Sequence, residues 1–175
     1  MANIYLSSTL LWNGSMEEIF DMVFQSGLDG IELWSQQFFY RKFDIDEFEK
    51  LAALYPLKNC IHSQSWDLNI SSVNDGIRKQ SVTEVKKSVE LAYQLGLDEV
   101  TVHPGHCTIS GIGVSYGAYL KESLREILEY AQKWKIDVSL EIMEKIPREF
   151  VTTMDAMKEV CGDMFDQFVY TAGTQ

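Results

Sequence analysis

Three histidines occur in the chain, His62, His103 and His106, and all three stand where a β-rich run stops. His62 closes Lys58-Asn-Cys-Ile-His62, His103 closes Val100-Thr-Val-His103, and His106 follows across Pro104-Gly105. Glu141 ends Val138-Ser-Leu-Glu141, and Glu32 and Trp34 take the equivalent position on Asp29-Gly-Ile-Glu-Leu33. Two imidazoles and a carboxylate from three neighbouring strands form a candidate three-ligand site for a divalent cation. Zinc and manganese suit these donors first, magnesium and cobalt next, with an open position left for water or substrate. A single histidine at a strand end is more often a hydrogen-bonded structural residue. It is the gathering of all three at one rim, with none on a helix face, that points to a site.

The elements that must position these groups alternate short β-rich runs with longer helical periodicity. Ile4 to Ser8 reads as the first strand, and Ser15-Met-Glu-Glu18 is a capping box opening a helix in which Met16, Ile19, Phe20, Val23 and Phe24 recur at helical spacing, ended by Gly27. Asp29 to Leu33 is the second strand; a helix over Asp44 to Leu54 and a strand over Lys58 to His62 follow. A long helix carries Val82, Val85, Val89, Ala92 and Leu95, and the fourth strand ends at His103. Leu120 to Ala131 marks a further helix, Val138 to Glu141 the fifth strand, Thr153 to Val160 a helix and Gln167 to Tyr170 a sixth strand.

Ser26-Gly-Leu-Asp-Gly-Ile-Glu-Leu-Trp34 echoes Leu95-Gly-Leu-Asp-Glu-Val-Thr-Val-His103, each a glycine cap, a tight turn and a strand. Repeated βα units imply a parallel sheet with right-handed crossovers. No G-x-G-x-x-G follows the first strand, which favours a (β/α)8 barrel over a doubly wound sheet. Five βα units and a sixth strand fall short of the roughly 250 residues of a full barrel. The expectation is a single partial TIM-barrel domain over residues 1–175. Its open sheet edges predict either a fragment or a homo-oligomer that covers them.

The remaining segments carry weaker signals. Trp34 to Phe43 holds Phe38, Phe39, Tyr40 and Phe43 and reads as a loop packed on the barrel top or walling a pocket. Gly105 to Gly117 is long for a βα loop and is a candidate lid. Asp67, Asn69 and Arg78 are candidate polyol contacts, with turn and cap roles as the plainer account.

Composition narrows the class of partner. Lys and Arg total 15 against 26 Asp and Glu, a formal charge of −11, so a nucleic-acid backbone is disfavoured as a partner. No apolar run approaches the roughly 20 residues of a membrane span, and the first residues lack the basic and apolar regions of a signal peptide. Cys60, Cys107 and Cys161 show no zinc-finger spacing and suit a reducing compartment. The expected location is cytoplasmic.

His62 with Asp67-Leu-Asn-Ile-Ser-Ser, Arg78-Lys-Gln-Ser-Val82, the His103-Pro-Gly turn, Leu140-Glu-Ile-Met143 and Gly27-Leu-Asp-Gly-Ile-Glu-Leu33 together resemble the xylose-isomerase-like TIM barrels. That superfamily includes sugar-phosphate isomerases and epimerases and the endonuclease IV type of nuclease. The resemblance covers the first five to six of the family's eight strands. It implies that Glu141 is a metal ligand, with proton transfer as its second role in an isomerase, and that His62 and His103 either share the cation, as in the nuclease branch, or contact substrate, as is more usual in the sugar branch. Glu32, Trp34, Asn69 and His106 are then the candidate substrate contacts. The family's sixth strand ends in an aspartate followed by a histidine, and Tyr170-Thr-Ala-Gly-Thr-Gln175 supplies neither.

Three readings follow from the resemblance. The first is a metal-dependent isomerase or epimerase of a small sugar or sugar phosphate. The second is an endonuclease-IV-like phosphodiesterase, which the acidic charge disfavours. The third is a partial barrel without activity.

Overall fold

The computed structural model describes residues 3–109 and 115–172. Six strands form one sheet, β1 (Tyr5–Ser7), β2 (Gly30–Trp34), β3 (Lys58–His62), β4 (Glu99–Val102), β5 (Asp137–Ile142) and β6 (Val169–Ala172). Every neighbouring pair is parallel and the spatial order is the chain order. A doubly wound sheet reverses its strand order at a switch point. None occurs here, and the sheet curls into an incomplete (β/α)8 barrel with helices between its strands.

The helices are α1 (Met16–Ser26), α2 (Ser35–Arg41), α3 (Ile45–Leu54), α4 (Asp75–Gln94), α5 (Tyr116–Trp134) and α6 (Met154–Cys161). The predicted capping box forms: Ser15 Oγ accepts from the Glu18 N–H and Glu18 Oε2 accepts from the Ser15 N–H. Gly27 ends α1 in the left-handed conformation at φ 68°. The Asn74 side chain caps α4, so that helix begins well before the apolar series from Val82.

Strand periodicity divides the side chains between two faces. Ile31, Leu33, Ile61, Val100, Val102, Val138 and Leu140 are fully buried in the core between sheet and helices. With a period of two, Glu32, Trp34, Cys60, His62, Thr101, Ser139 and Glu141 must take the opposite, inner face. The hydrophobic demand of the outer face thus fixes the register that turns the polar groups inward.

Three expectations need correction. Trp34 to Phe43 is mostly helix, not loop. Ser35 Oγ donates to the His62 carbonyl (2.9 Å), Gln37 Nε2 to the Leu11 carbonyl (2.9 Å), and Phe38 is buried, so tertiary contacts supply what the unpatterned aromatic run hides. The first strand is shorter than Ile4 to Ser8, because Ser8 opens a 3-10 turn over Ser8–Leu11. The sixth strand starts later than Gln167, after a 3-10 turn over Gly162–Gln167. There the Tyr170 hydroxyl donates back to the Phe165 carbonyl (2.6 Å). Residues 110–114 of the segment read as a lid lie outside the described residues. Among the described residues no helix is long and apolar enough to cross a membrane.

Candidate metal centre

His62, His103 and Glu141 converge at the carboxyl ends of β3, β4 and β5, their ligand atoms all within 4.8 Å of one another. His103 Nε2 lies 2.8 Å from Glu141 Oε2, His62 Nε2 lies 3.6 Å from the same oxygen, and the two Nε2 atoms are 2.9 Å apart. These are the spacings of ligands around a small cation. Bonds of about 2.0–2.2 Å place neighbouring donor atoms roughly 3 Å apart.

Proton counting supports the same conclusion. His62 Nδ1 is 2.8 Å from the Ser63 carbonyl, which can only accept, so Nδ1 carries the hydrogen. In the neutral ring Nε2 is then a bare lone pair. It faces His103 Nε2 and the Glu141 carboxylate, and the one hydrogen that His103 Nε2 can hold serves only one of those two acceptors. Lone pairs gathered with too few protons are the chemistry of a cation-binding donor set, and the Ser63 carbonyl is the outer partner that fixes the ring's tautomer. The residues present fit a divalent metal.

Burial pushes the Glu141 carboxyl upward, but the approach of the His103 and His62 imidazoles to its Oε2 outweighs it and holds the group well below the usual carboxylate range. Glu141 is therefore ionised, and the imidazoles engage only its Oε2. Trp34 stacks flat on His62, with ring centroids 3.9 Å apart and planes 4° from parallel, and meets His103 edge-on at 6.2 Å. The same indole packs against Trp66, which packs against Trp12 at 4.8 Å.

The other predicted contacts fall in different places. His106 lies beyond the cluster on the wall of an adjoining cavity of about 840 Å³. Burial, with the Arg148 charge, lowers its pKa and favours the neutral imidazole. Asn69 is buried and committed to the chain: Nδ2 donates to the His106 carbonyl (2.9 Å), and Oδ1 accepts from the N–H groups of Ser71 and His106 (both 3.1 Å). Arg78 is also committed, donating to the Ser72 carbonyl (3.0 Å) and Asp75 (2.6 Å) while lying over the Tyr119 ring. Glu32 sits one inward position below Trp34, opposite Cys60, whose thiol is pushed up by burial and then by the Glu32 charge.

With this geometry in view, residues 20–169 match the family described as the xylose isomerase-like TIM barrel. The chain belongs to this family. Among solved structures, a D-tagatose 3-epimerase-like protein superposes with a TM-score of 0.79 at 23% identity over 93% of this chain and 61% of its own. A further likeness is the IOLI protein with a bound zinc atom, with a TM-score of 0.71 at 17% identity over 91% of this chain and 58% of its own. The uncharacterized protein MJ1188 of Methanocaldococcus jannaschii is 30% identical over 154 residues, 85% of this chain and 57% of the relative. The chain thus spans between 38% and 57% of the length of its curated relatives.

Reading the xylose isomerase-like sequence alone misses two features beside the cluster. One is the Trp12–Trp66–Trp34 array, whose members lie far apart in the chain. The other is Arg148-Glu149 in the segment after β5, which reaches the cavity from a stretch with no periodic signal.

Proposed function

We propose that this chain carries the centre of a sugar isomerase or epimerase, with His62, His103 and Glu141 holding a divalent cation. The observation that carries the reading is the convergence of two imidazole nitrogens and an ionised carboxylate oxygen with too few protons among them. The likeness to a D-tagatose 3-epimerase-like protein and to zinc-bound IOLI supports the substrate class and the cation. Zinc or manganese suits the donors best.

When bound, such a cation polarises a sugar carbonyl and its neighbouring hydroxyl. Glu141 is the group to move the proton. Its Oε2 faces the imidazoles, and its Oε1 is left to accept a proton from the carbon beside the carbonyl. Trp34 holds the His62 ring and covers one side of the cluster, excluding water. Neutral His106 on the cavity wall orients a hydroxyl. Glu32 and Asn69 have no part in this reading, because one lies a position below the rim and the other is hydrogen-bonded within the fold.

A phosphodiester substrate fits less well. Among the described residues lining the cavity Arg148 is the one permanent cation, against the carboxylates Asp67, Glu144 and Glu149, a balance that repels a polyanion. The deciding experiment is the metal content of the purified chain by elemental mass spectrometry, beside Glu141→Gln. Near-stoichiometric zinc or manganese that falls away in the variant is expected. Wild-type protein that takes up neither metal after supplementation overturns the reading.

A further inference from the structure

We infer that the cavity beside the cluster is shaped for a glycoside, a sugar joined to an apolar group, and not for a free monosaccharide or a sugar phosphate. The inference rests on the sugar-binding reading above and goes on to name the substrate class.

At about 840 Å³ the cavity adjoins the cluster through His103 and is an open cleft bordered by the segments after β3, β4 and β5 and by helix α4. Pockets of roughly 300–1,000 Å³ take drug-sized ligands, and this one sits in the upper part of that range. A lone monosaccharide leaves much of it unfilled.

Its polar part is built for hydroxyl groups. Ser63 is 1% exposed, and its Oγ has no partner among the described residues; the Ser65 Oγ shares that state. Glu149 is 5% exposed at its side chain, with Oε1 held 3.3 Å from Arg148 Nε, while Oε2 has no partner among the described residues. All three residues line the cavity. Buried polar atoms are ordinarily hydrogen-bonded, so three unsatisfied oxygens on residues around one cavity point to a ligand that brings its own donors and acceptors once side-chain rotation turns these closed-off atoms toward it. A polyol does so. A phosphate fits less well, because the carboxylates Asp67, Glu144 and Glu149 outnumber Arg148 around the cavity.

Its outer part is apolar. Trp66, Ile77 and Ile146 line the same cavity and are 47%, 49% and 40% exposed. Exposed apolar side chains scattered singly are ordinary, whereas several around one polar cavity mark a binding site. Trp66 is braced by Trp12 and Trp34, so its ring is a pre-set platform that needs little ordering on binding. Hydroxyls toward His103 and an apolar group against this lip satisfy both parts at once.

The test is isothermal titration calorimetry with the p-nitrophenyl glycosides of glucose, galactose, mannose and xylose, beside each parent sugar and p-nitrophenol. At least one glycoside is expected to bind about tenfold or more tightly than both its parent sugar and p-nitrophenol. The double variant Ile77→Ser, Ile146→Ser is expected to lose that preference while its melting curve stays unchanged. Glu149→Gln weakens glycoside binding without altering the preference. A parent sugar that binds as tightly as its glycoside overturns the inference and leaves the sugar reading standing. Equal binding of p-nitrophenol, or no binding by any member of the panel, also overturns it. Zinc titration of the same protein reads the cluster separately, so failed metal binding with glycoside preference retained counts against the metal reading alone.

Discussion

Trp34 lies flat against His62, their ring centroids 3.9 Å apart and their planes within 4°. The two residues are paired in register across β2 and β3, so the stack follows from strand pairing itself. It confines the imidazole to the plane in which Nδ1 meets the Ser63 carbonyl and Nε2 meets the cluster.

Replacing the indole therefore acts on the metal through geometry. Trp34→Ala is expected to lower cation affinity by about 10–100-fold, the range for removing a residue that orients a ligand. Zinc titration with a competing chelator measures it. Trp34→Phe, which keeps a stacking ring, is expected to recover most of the loss.

Binding of the cation couples to stability. At a free metal concentration of 100 times Kd, a site present only in the folded chain adds about 2.7 kcal/mol. Wild-type protein is expected to melt at a higher temperature with zinc than with chelator. Glu141→Gln should show little difference between the two conditions in the same calorimetric scan.

Gly105 has φ 78°, and a Cβ there would sit 2.4 Å from Asn69 Oδ1 and 2.9 Å from the Ser71 backbone nitrogen. No side chain fits without displacing the hydrogen bonds that hold the His106 segment. Gly105→Ala is expected to destabilise the fold by about 1–3 kcal/mol from the left-handed strain and lost hydrogen bonds. Urea unfolding measures the loss.

The pH dependence of stability has an identifiable contributor in Glu99. Burial first, then the nearby charges of Asp98, Asp137 and Glu32, raises its carboxyl above the ordinary range. The folded chain thus holds that proton more tightly than the unfolded chain, and stability falls as pH rises from the ordinary carboxyl range through the raised folded value. Glu99→Gln is expected to raise the melting temperature near neutral pH. That advantage should shrink toward about pH 4, where the native side chain is protonated in both states.

Much of the barrel is legible in the chain because its signals are local. The Ser15-Met-Glu-Glu18 capping box, the left-handed caps at Gly27 and Gly96, and the alternation in β2 and β5 each rest on neighbours a few residues apart. Period-two strands with a buried outer face oblige His62 and Glu141 to face inward, and that obligation can be read before any contact is known. Family membership, found in the short motifs around His62, His103 and Glu141, agrees with the match over residues 20–169.

Tertiary structure alone decided the rest. Helix α2 depends on hydrogen bonds from Ser35 to the His62 carbonyl and from Gln37 to the Leu11 carbonyl, across gaps of 27 and 26 residues. Asn69, which the sequence offers equally as a polyol contact or a turn residue, is hydrogen-bonded to a segment 37 residues away. The spacing of His62, His103 and Glu141, and the cavity that Glu149 and Trp66 share beside them, arise from how four strands and their loops curl together. Local patterning sets which way a side chain points; only packing across the sheet sets what it meets there.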